Sequence, residues 1–325
     1  MRHDACCGIF LITLTLDFSL CLRPPCATIA LSVTRLNVTT GGTVERFAVL
    51  QLSGCAGCEV SLLNAGDWID KHRLTYMPLV ISTHDVPEVE TLLVSGGVRT
   101  EEDHYNLRQA ARRADRVVAV GTCAISGGVA SLGNRDEVRE VFLAQAERRH
   151  VPRLLPKCRP IDAVVDVDLY LPGCPPTPEL FMAALTEDPD FEPGRNVCRE
   201  CGRKKLRDMR PEHLTGFQEG EVLPDICLIN QGYLCVGSSV RGGCRALCTR
   251  PGHQCVGCRG PSDAFIEKDA EEWLSSIKRI FESLTDIPEE ELDRALRSPQ
   301  LALFLFQFSD YAAPERPPRP KEKML

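Results

Sequence analysis

Residues 47–61 read FAVLQLSGCAGCEVS. An apolar run, FAVLQL at 47–52, passes into a glycine-bearing turn that carries Cys55 and Cys58. VSLLNAGDWIDKH follows, with apolar residues at helical spacing. A strand that is apolar on both faces, followed at once by a turn and a helix, belongs to a parallel sheet covered on both sides. The pattern repeats downstream. MPLVIS (77–82), VETLLVSGG (89–97), RVVAVGT (116–122) and the stretch VDLYLPGCPP read as further strands. Between them lie helical stretches. TEEDHYNLRQAARRAD opens with a Thr100–Asp103 capping pattern, RDEVREVFLAQAERR follows, and ELFMAALTE comes after a proline-rich turn. Alternation of this kind specifies an α/β domain.

The position of the cysteines then carries the argument. Cys55, Cys58, Cys123 and Cys174 each fall just after a strand. Open parallel sheets bind ligands beyond the carboxyl ends of their strands, so three distant loops are expected to bring these four thiols to one rim. After DPDFEPGRN (188–196) the composition changes to a glycine-rich segment with few apolar runs and eight cysteines, in CREC, CLINQGYLC, CRALC and CVGC. Little in that segment buries a core unaided, so it needs another source of order. A helix, AFIEKDAEEWLSSIKRIFESL, a shorter helical stretch and an apolar LALFLFQF lead to a proline-rich tail, APERPPRPKEKML, read as disordered.

The chain has 325 residues, with 43% hydrophobic and 26% charged residues, ordinary values for a globular protein. A net charge of −7 and 6% aromatic residues argue against nucleic acid as a partner. The 17 cysteines stand out, because a chain this long has no need of disulfides to replace a core. Twelve of them fall into three sets of four: Cys55, Cys58, Cys123 and Cys174; Cys198, Cys201, Cys227 and Cys235; Cys244, Cys248, Cys255 and Cys258. C-x-x-C turns aim two thiolates at one site and suit zinc and iron–sulfur clusters equally. The spacing leaves open whether the last two sets share ligands. Cys6, Cys7, Cys21, Cys26 and Cys158 are read as inert or incidental thiols. The first residues combine a basic start with an apolar run from Gly8 to Leu22, interrupted by Asp17. That run lacks a clean cleavage site and is too short and interrupted to span a bilayer. Residues 1–44 are therefore expected to be a leader or non-native extension.

C-x-G-C at the first strand, G-T-C at 121–123 and P-G-C-P-P at 172–176 together resemble the small, electron-transferring subunit of NiFe hydrogenases. The ending RGGCRALCTRPGHQCVGCRGP is similar to the cytoplasmic branch of that family, which includes the non-deazaflavin-reducing hydrogenases of methanogens and sulfhydrogenase delta subunits. The resemblance covers roughly residues 45–262. It implies a flavodoxin-like parallel sheet domain (45–190), then a cysteine-rich, cluster-ordered irregular domain (191–262), with C-terminal helices and tail at 263–325. It further implies three 4Fe–4S clusters: a proximal one on the first set, a distal one on the Cys198 set and a medial one on the Cys244 set. The best-known periplasmic members have a histidine where Cys198 stands and three cysteines at a medial 3Fe–4S cluster; Cys248 supplies a fourth ligand here. Another departure is Ser95, where relatives often carry Glu. The implied role is an electron relay with no NiFe active site of its own. The implied partners are a NiFe large subunit and a flavin or iron–sulfur acceptor, in the cytoplasm.

Other residues are weighed against simpler readings. Glu59 is a candidate for proton transfer, or a charge placed by the helix dipole. His213 and His253 are read as surface or outer-sphere residues beside so many thiols. The run GRKKLRDMR (202–210) is either a solvated face or a dock for an acidic redox partner. Two alternatives stand beside the hydrogenase reading: a cluster subunit of a complex I-like oxidoreductase, and a zinc-stabilised interaction protein. The former typically shows adjacent cysteines in the first loop, and here two residues separate Cys55 from Cys58.

Overall fold

The computed structural model describes residues 44–66, 68–81, 83–134, 140–141, 152–187, 195–216, 219–268, 270–297 and 320–325. Strands β1 (Glu45–Gln51), β2 (His72–Tyr76), β3 (Val89–Ser95), β5 (Ala114–Val120) and β7 (Leu169–Leu171) form one sheet in the order β2-β1-β3-β5-β7. Every neighbouring pair in it is parallel. Counting sheet strands alone, that is the 2-1-3-4-5 order of flavodoxin-like folds, with the switch point between β1 and β3. A separate antiparallel pair joins β4 (Val98–Thr100) to β6 (Leu154–Arg159).

The central strands run apolar over consecutive residues because both faces are covered. Ala48, Leu50, Leu92, Val94 and Ala119 pack on one side with Leu107 and Ala110 of helix α3 (Glu101–Ala111). Phe47, Val49, Leu93, Val118 and Val120 pack on the other with Leu62 of α1 (Gly57–Leu63) and Leu180 and Phe181 of α5 (Pro178–Thr186). The capping box expected at Thr100 is present: the Asp103 amide donates to Thr100 Oγ1, and Asp103 Oδ2 accepts from the Thr100 amide, both at 2.9 Å.

Three expectations need correction. The single helix expected over VSLLNAGDWIDKH is broken into α1 and a short α2 (Trp68–Lys71). Gly66 lies in the gap, and the Trp68 indole donates to Leu62 O at 3.0 Å where α1 ends. The strand expected at MPLVIS is a turn instead: the Val80 and Ile81 amides both donate to Met77 O, and Leu79 and Val80 are about half exposed. Pro78 cannot donate to a ladder, so the edge strand is the less apolar HRLTY before it. The tail, expected to be disordered, lays its last residues along β7. The Leu325 amide donates to Tyr170 O at 3.0 Å, and Lys323 Nζ donates to Val167 O at 2.8 Å. The helix expected at RDEVREVFLAQAERR lies almost wholly outside the described residues, as do LALFLFQF and residues 1–43.

Two further helices of the sheet region and second module complete the frame: α4 (Gly121–Ser126) and α6 (Val197–Cys201). The second module does not lack a core. Helix α7 (Ala270–Leu284) presents Trp273, Ile277, Phe281 and Leu284 as a buried stripe, and α8 (Glu289–Arg297) adds Leu292, Ala295 and Leu296. These pack with Val197, Leu228, Ile229, Tyr233, Val236 and Val240 of the cysteine-rich segment. Asn230, 1% exposed, ties the two together. Its Nδ2 lies within hydrogen-bonding distance of Leu206 O, Met209 O and Leu284 O, and its Oδ1 accepts from the Leu206 amide.

Candidate metal-cluster sites

The first four thiols reach one rim through the exits of three strands. The chain leaves β1 into Cys55, turns through Ala56 in the left-handed region (φ 62°), and places Cys58 in the first turn of α1. Cys123 is on α4, which starts where β5 ends, and Cys174 lies just beyond the end of β7. Two glycines make room for sulfur. A Cβ on Gly121 (φ +78°) would sit 2.5 Å from Cys58 Sγ, and one on Gly128 (φ +53°) would sit 2.6 Å from Cys123 Sγ. Cys55 and Cys174 stand at the surface, with Cys58 and Cys123 half-buried behind them.

Electrostatics report which thiols are neighbours. Burial pushes the Cys58 thiol well up, and the negative charges of Glu59, Cys123, Cys174 and Cys55 add to it. Desolvation pushes Cys174 up to about 11, with Cys123 and Cys55 adding. In the second set, burial pushes Cys198 up to about 11; Lys205 opposes the shift and Cys227 and Cys201 reinforce it. Cys235 is pushed by burial up to about 12, relieved by the amides of Gly237 and Cys255 and raised by Cys198 and Cys227. In the third set, Cys248 is raised by burial and by Cys244. Burial also raises Cys255, with Cys235, Cys258 and Cys244 adding. Thiols within each expected set act on one another, and Cys255 and Cys258 also feel Cys235 and Cys174 of the other two sets. Such thiols ionise at neutral pH only when a cation offsets the charge.

The sets also meet one another in a definite order. The Cys174 amide hydrogen-bonds the Cys258 thiol, which burial holds near 11, so the first set touches the third. Thr122 Oγ1 lies 2.8 Å from Cys258 O across the same junction. The Cys255 amide donates to Cys235 Sγ at 3.3 Å, so the third set touches the second. The third set stands between the other two.

All the described cysteines are free thiols. Among the described residues, no three His, Cys, Asp or Glu side chains converge as the ligands of a single ion would. Sulfur-only donors, amide hydrogen bonds to sulfur and glycine clearances at the first set all fit a cluster.

The other candidates divide. His213 is exposed, with Nδ1 3.3 Å from Glu291 Oε2, and His253 is exposed. Cys158 lies outside the three sets, yet its buried thiol is a neighbour of Cys123 and is pushed up to about 12 by burial. Glu59 is in the first turn of α1 but turns inward. It is 2% exposed, Oε1 accepts from the Ser95 hydroxyl, Oε2 has no partner, and Cys58, Leu62, Leu93 and Phe181 line the small cavity beside it. Within 202–210, Arg203 donates to Thr249 O, Leu223 O and Ile226 O. Arg210 holds the end of α7 through Ser283 O, Glu282 O and Asp286. Lys204, Lys205 and Arg207 lie outside this set of carbonyl contacts, with Lys204 and Arg207 exposed. Sequence reasoning passed over two buried arginines, Arg241 and Arg259. Burial lowers Arg259 to about 10, leaving it charged at neutral pH. An arginine directly after the last C-x-x-C was the only available signal.

The family model described as NADH ubiquinone oxidoreductase, 20 Kd subunit, matches residues 55–187. An F420-non-reducing hydrogenase vhu subunit of Methanococcus voltae is 33% identical over 244 residues, which are 69% of this chain and 84% of that one. The delta subunit of sulfhydrogenase 2 of Pyrococcus furiosus is 28% identical over 262 residues, 78% of this chain and 98% of that one. A chain in the crystal structure of an NAD+-reducing NiFe-hydrogenase in the H2-reduced state is 32% identical, with a TM-score of 0.42, and the match spans 46% of this chain and 95% of that one. The chain belongs to the family of NiFe-hydrogenase small-type subunits. Within it, the similarity is to the F420-non-reducing hydrogenase and sulfhydrogenase members just described. The complex I-like alternative is not favoured, because the hydrogenase relatives match more of the chain than the 55–187 stretch of the oxidoreductase family model. Among the described residues, no helix is long and apolar enough to cross a membrane.

Proposed function

We propose that this chain is the electron-relay subunit of a NiFe hydrogenase, with 4Fe–4S clusters held by Cys55, Cys58, Cys123 and Cys174, by Cys244, Cys248, Cys255 and Cys258, and by Cys198, Cys201, Cys227 and Cys235. The observation that carries this reading is the order of contact: Cys174 meets Cys258, and Cys255 meets Cys235, so the three sets form a line. Bound clusters supply one-electron oxidation and reduction. The protein's own part is to hold the thiolates, donate amide hydrogen bonds to their sulfurs and keep water from the buried ones.

The exposed Cys55 and Cys174 mark the end that faces a NiFe large subunit. Lys204, Lys205 and Arg207 mark the end that meets a flavin or iron–sulfur acceptor. Glu59, buried against Cys58, is placed to hold a proton near the first set. No NiFe centre is assigned to this chain.

The test is iron and acid-labile sulfide per chain in anaerobically purified protein, with zinc counted in parallel. About twelve irons with matching sulfide is the expected result for three four-cysteine clusters. Zinc without sulfide would replace the relay with a zinc-folded interaction protein. Gly121→Ala, whose methyl would collide with Cys58 Sγ, is expected to lose about a third of the iron, roughly four of twelve.

A further inference from the structure

The turn between the first two thiols of the third set runs against its own sequence. Arg245 and Ala246 both lie in the left-handed region, at φ 53°, and the Leu247 amide donates to Cys244 O at 3.3 Å. Two positive φ values at the centre of a four-residue turn are the type I′ pattern, which favours glycine, asparagine or aspartate. A Cβ in that region crowds the following carbonyl oxygen, so Arg-Ala is strained there and the turn persists only where its surroundings hold it.

The hold comes from the second set. Glu200 lies between Cys198 and Cys201 in the last turn of α6. Its Oε1 accepts from the Gly243 amide, and its Oε2 accepts from the Ala246 amide at 3.2 Å. One carboxylate thus grips the chain on both sides of Cys244 and Arg245. Hydrogen bonds from amides to a carboxylate are charge-assisted and stronger than those between neutral groups. Oε2 also lies 4.0 Å from Cys244 Sγ, so the clasp sits directly against the first thiol. Beyond Cys248, Arg250 Nη2 donates to the Glu200 main-chain oxygen at 3.2 Å. Arg245 itself reaches outward to Glu179 at 3.2 Å, in an exposed pair that contributes little.

We propose that Glu200 is a positioning residue: it holds the 243–246 turn in its left-handed form and thereby fixes the Cys244–Cys248 pair against the second set. What that pair binds rests on the relay reading above. The Cys255 amide already joins the two sets through Cys235 Sγ at 3.3 Å. Glu200 supplies a second link, from the Cys198–Cys201 helix. Two links fix an orientation that one leaves free to turn, as groups behind a metal ligand set the direction in which it points.

The experiment uses the full chain in its hydrogenase complex, as wild type, Glu200→Gln, Glu200→Ala, and Glu200→Ala combined with Arg245→Gly. Iron, acid-labile sulfide and the electron paramagnetic resonance of each cluster are measured, and amide hydrogen exchange is followed at Gly243 and Ala246. Glu200→Ala is expected to lose about four of twelve irons together with the third-set signal, while the other two signals stay. Exchange at both amides should quicken roughly tenfold or more, as local opening becomes easier. Arg245→Gly adopts the left-handed turn without strain and should restore the iron to Glu200→Ala. Glu200→Gln, left with one acceptor oxygen, should keep its fold and quicken exchange at one of the two amides. Full third-set iron in Glu200→Ala overturns the proposal, whatever the exchange rates. So does a second-set signal lost along with the third, because Glu200 would then serve only its own helix. A loss that Arg245→Gly leaves unrepaired also overturns it, since the turn would not be what Glu200 holds. Should Glu200→Ala fail to fold, Glu200→Gln decides, and exchange at both amides as slow as in wild type overturns the proposal. A wild-type complex without third-set iron refutes the relay reading itself, and the exchange rates, which need no cluster, then judge the clasp alone.

Discussion

The sheet domain and the cysteine-rich module solve the problem of stability in opposite ways. The sheet carries its own core: β1, β3 and β5 bury consecutive side chains against helices drawn from the same stretch of chain. The module at 197–261 contributes scattered apolar residues and obtains its core from α7 and α8, which follow it in sequence. Thiol pairs are concentrated in the module, which supplies eight of the twelve proposed ligands, and buried arginine and asparagine there satisfy main-chain groups that no regular element pairs. The lesson is that most of the proposed ligands lie where secondary structure is weakest, with helices brought in from outside as support.

The comparison breaks most sharply at Phe281, fully buried in the module's core. Phe281→Ala is expected to cost about 3–5 kcal/mol. Hydrogen exchange should show lost protection across 197–261 and 270–297 while β3 and β5 stay protected. Equal loss in the sheet would mean that both regions unfold as one cooperative unit.

Asn230 tests the same boundary with a polar group. Asn230→Ala strands Leu206, Met209 and Leu284 main-chain groups, and each unsatisfied buried group costs about 1–3 kcal/mol. Denaturant unfolding should show a loss of at least about 2 kcal/mol, confined to the module. On the sheet side, Thr100→Ala removes one half of a capping box and is expected to cost about 1 kcal/mol, without change in iron content.

The smallest effect is one of pH. His72 is buried at the start of β2 with neither ring nitrogen hydrogen-bonded, and burial lowers its pKa below 6.5 despite the opposing pull of Glu45. The unfolded chain therefore takes up this proton first. The stabilisation is complete above pH 6.5 and declines as pH falls through the lowered value. His72→Phe should flatten that part of the stability profile, as followed by thermal unfolding at about pH 5 and about pH 7.5, either side of the ordinary histidine range. An unchanged profile would place the pH dependence elsewhere.

Much of the fold and the nearness of the first four thiols are legible in the residues themselves. Unbroken apolar runs that end in cysteine announce a parallel sheet with thiols at its carboxyl rim, because only a strand covered on both faces is written that way. The misreadings have two causes. MPLVIS resembles a strand more than HRLTY does, yet Pro78 bars it from the ladder and an edge position tolerates the more polar segment. Arg203, Arg210 and Arg259 look alike as letters. Main-chain carbonyls brought close by folding decide that all three tie segments together, while Lys204 and Arg207 face solvent.

The amino-acid sequence by itself determined the α/β alternation and the paired spacing of the thiols, since strand periodicity and C-x-x-C turns are local properties. Tertiary structure alone decided that Cys174 meets Cys258 and Cys255 meets Cys235, that Arg259 is buried beside the first of these junctions, and that Glu59 turns inward. Those contacts join segments far apart in the chain, and burial of a charge depends on what packs over it, which no local spacing encodes.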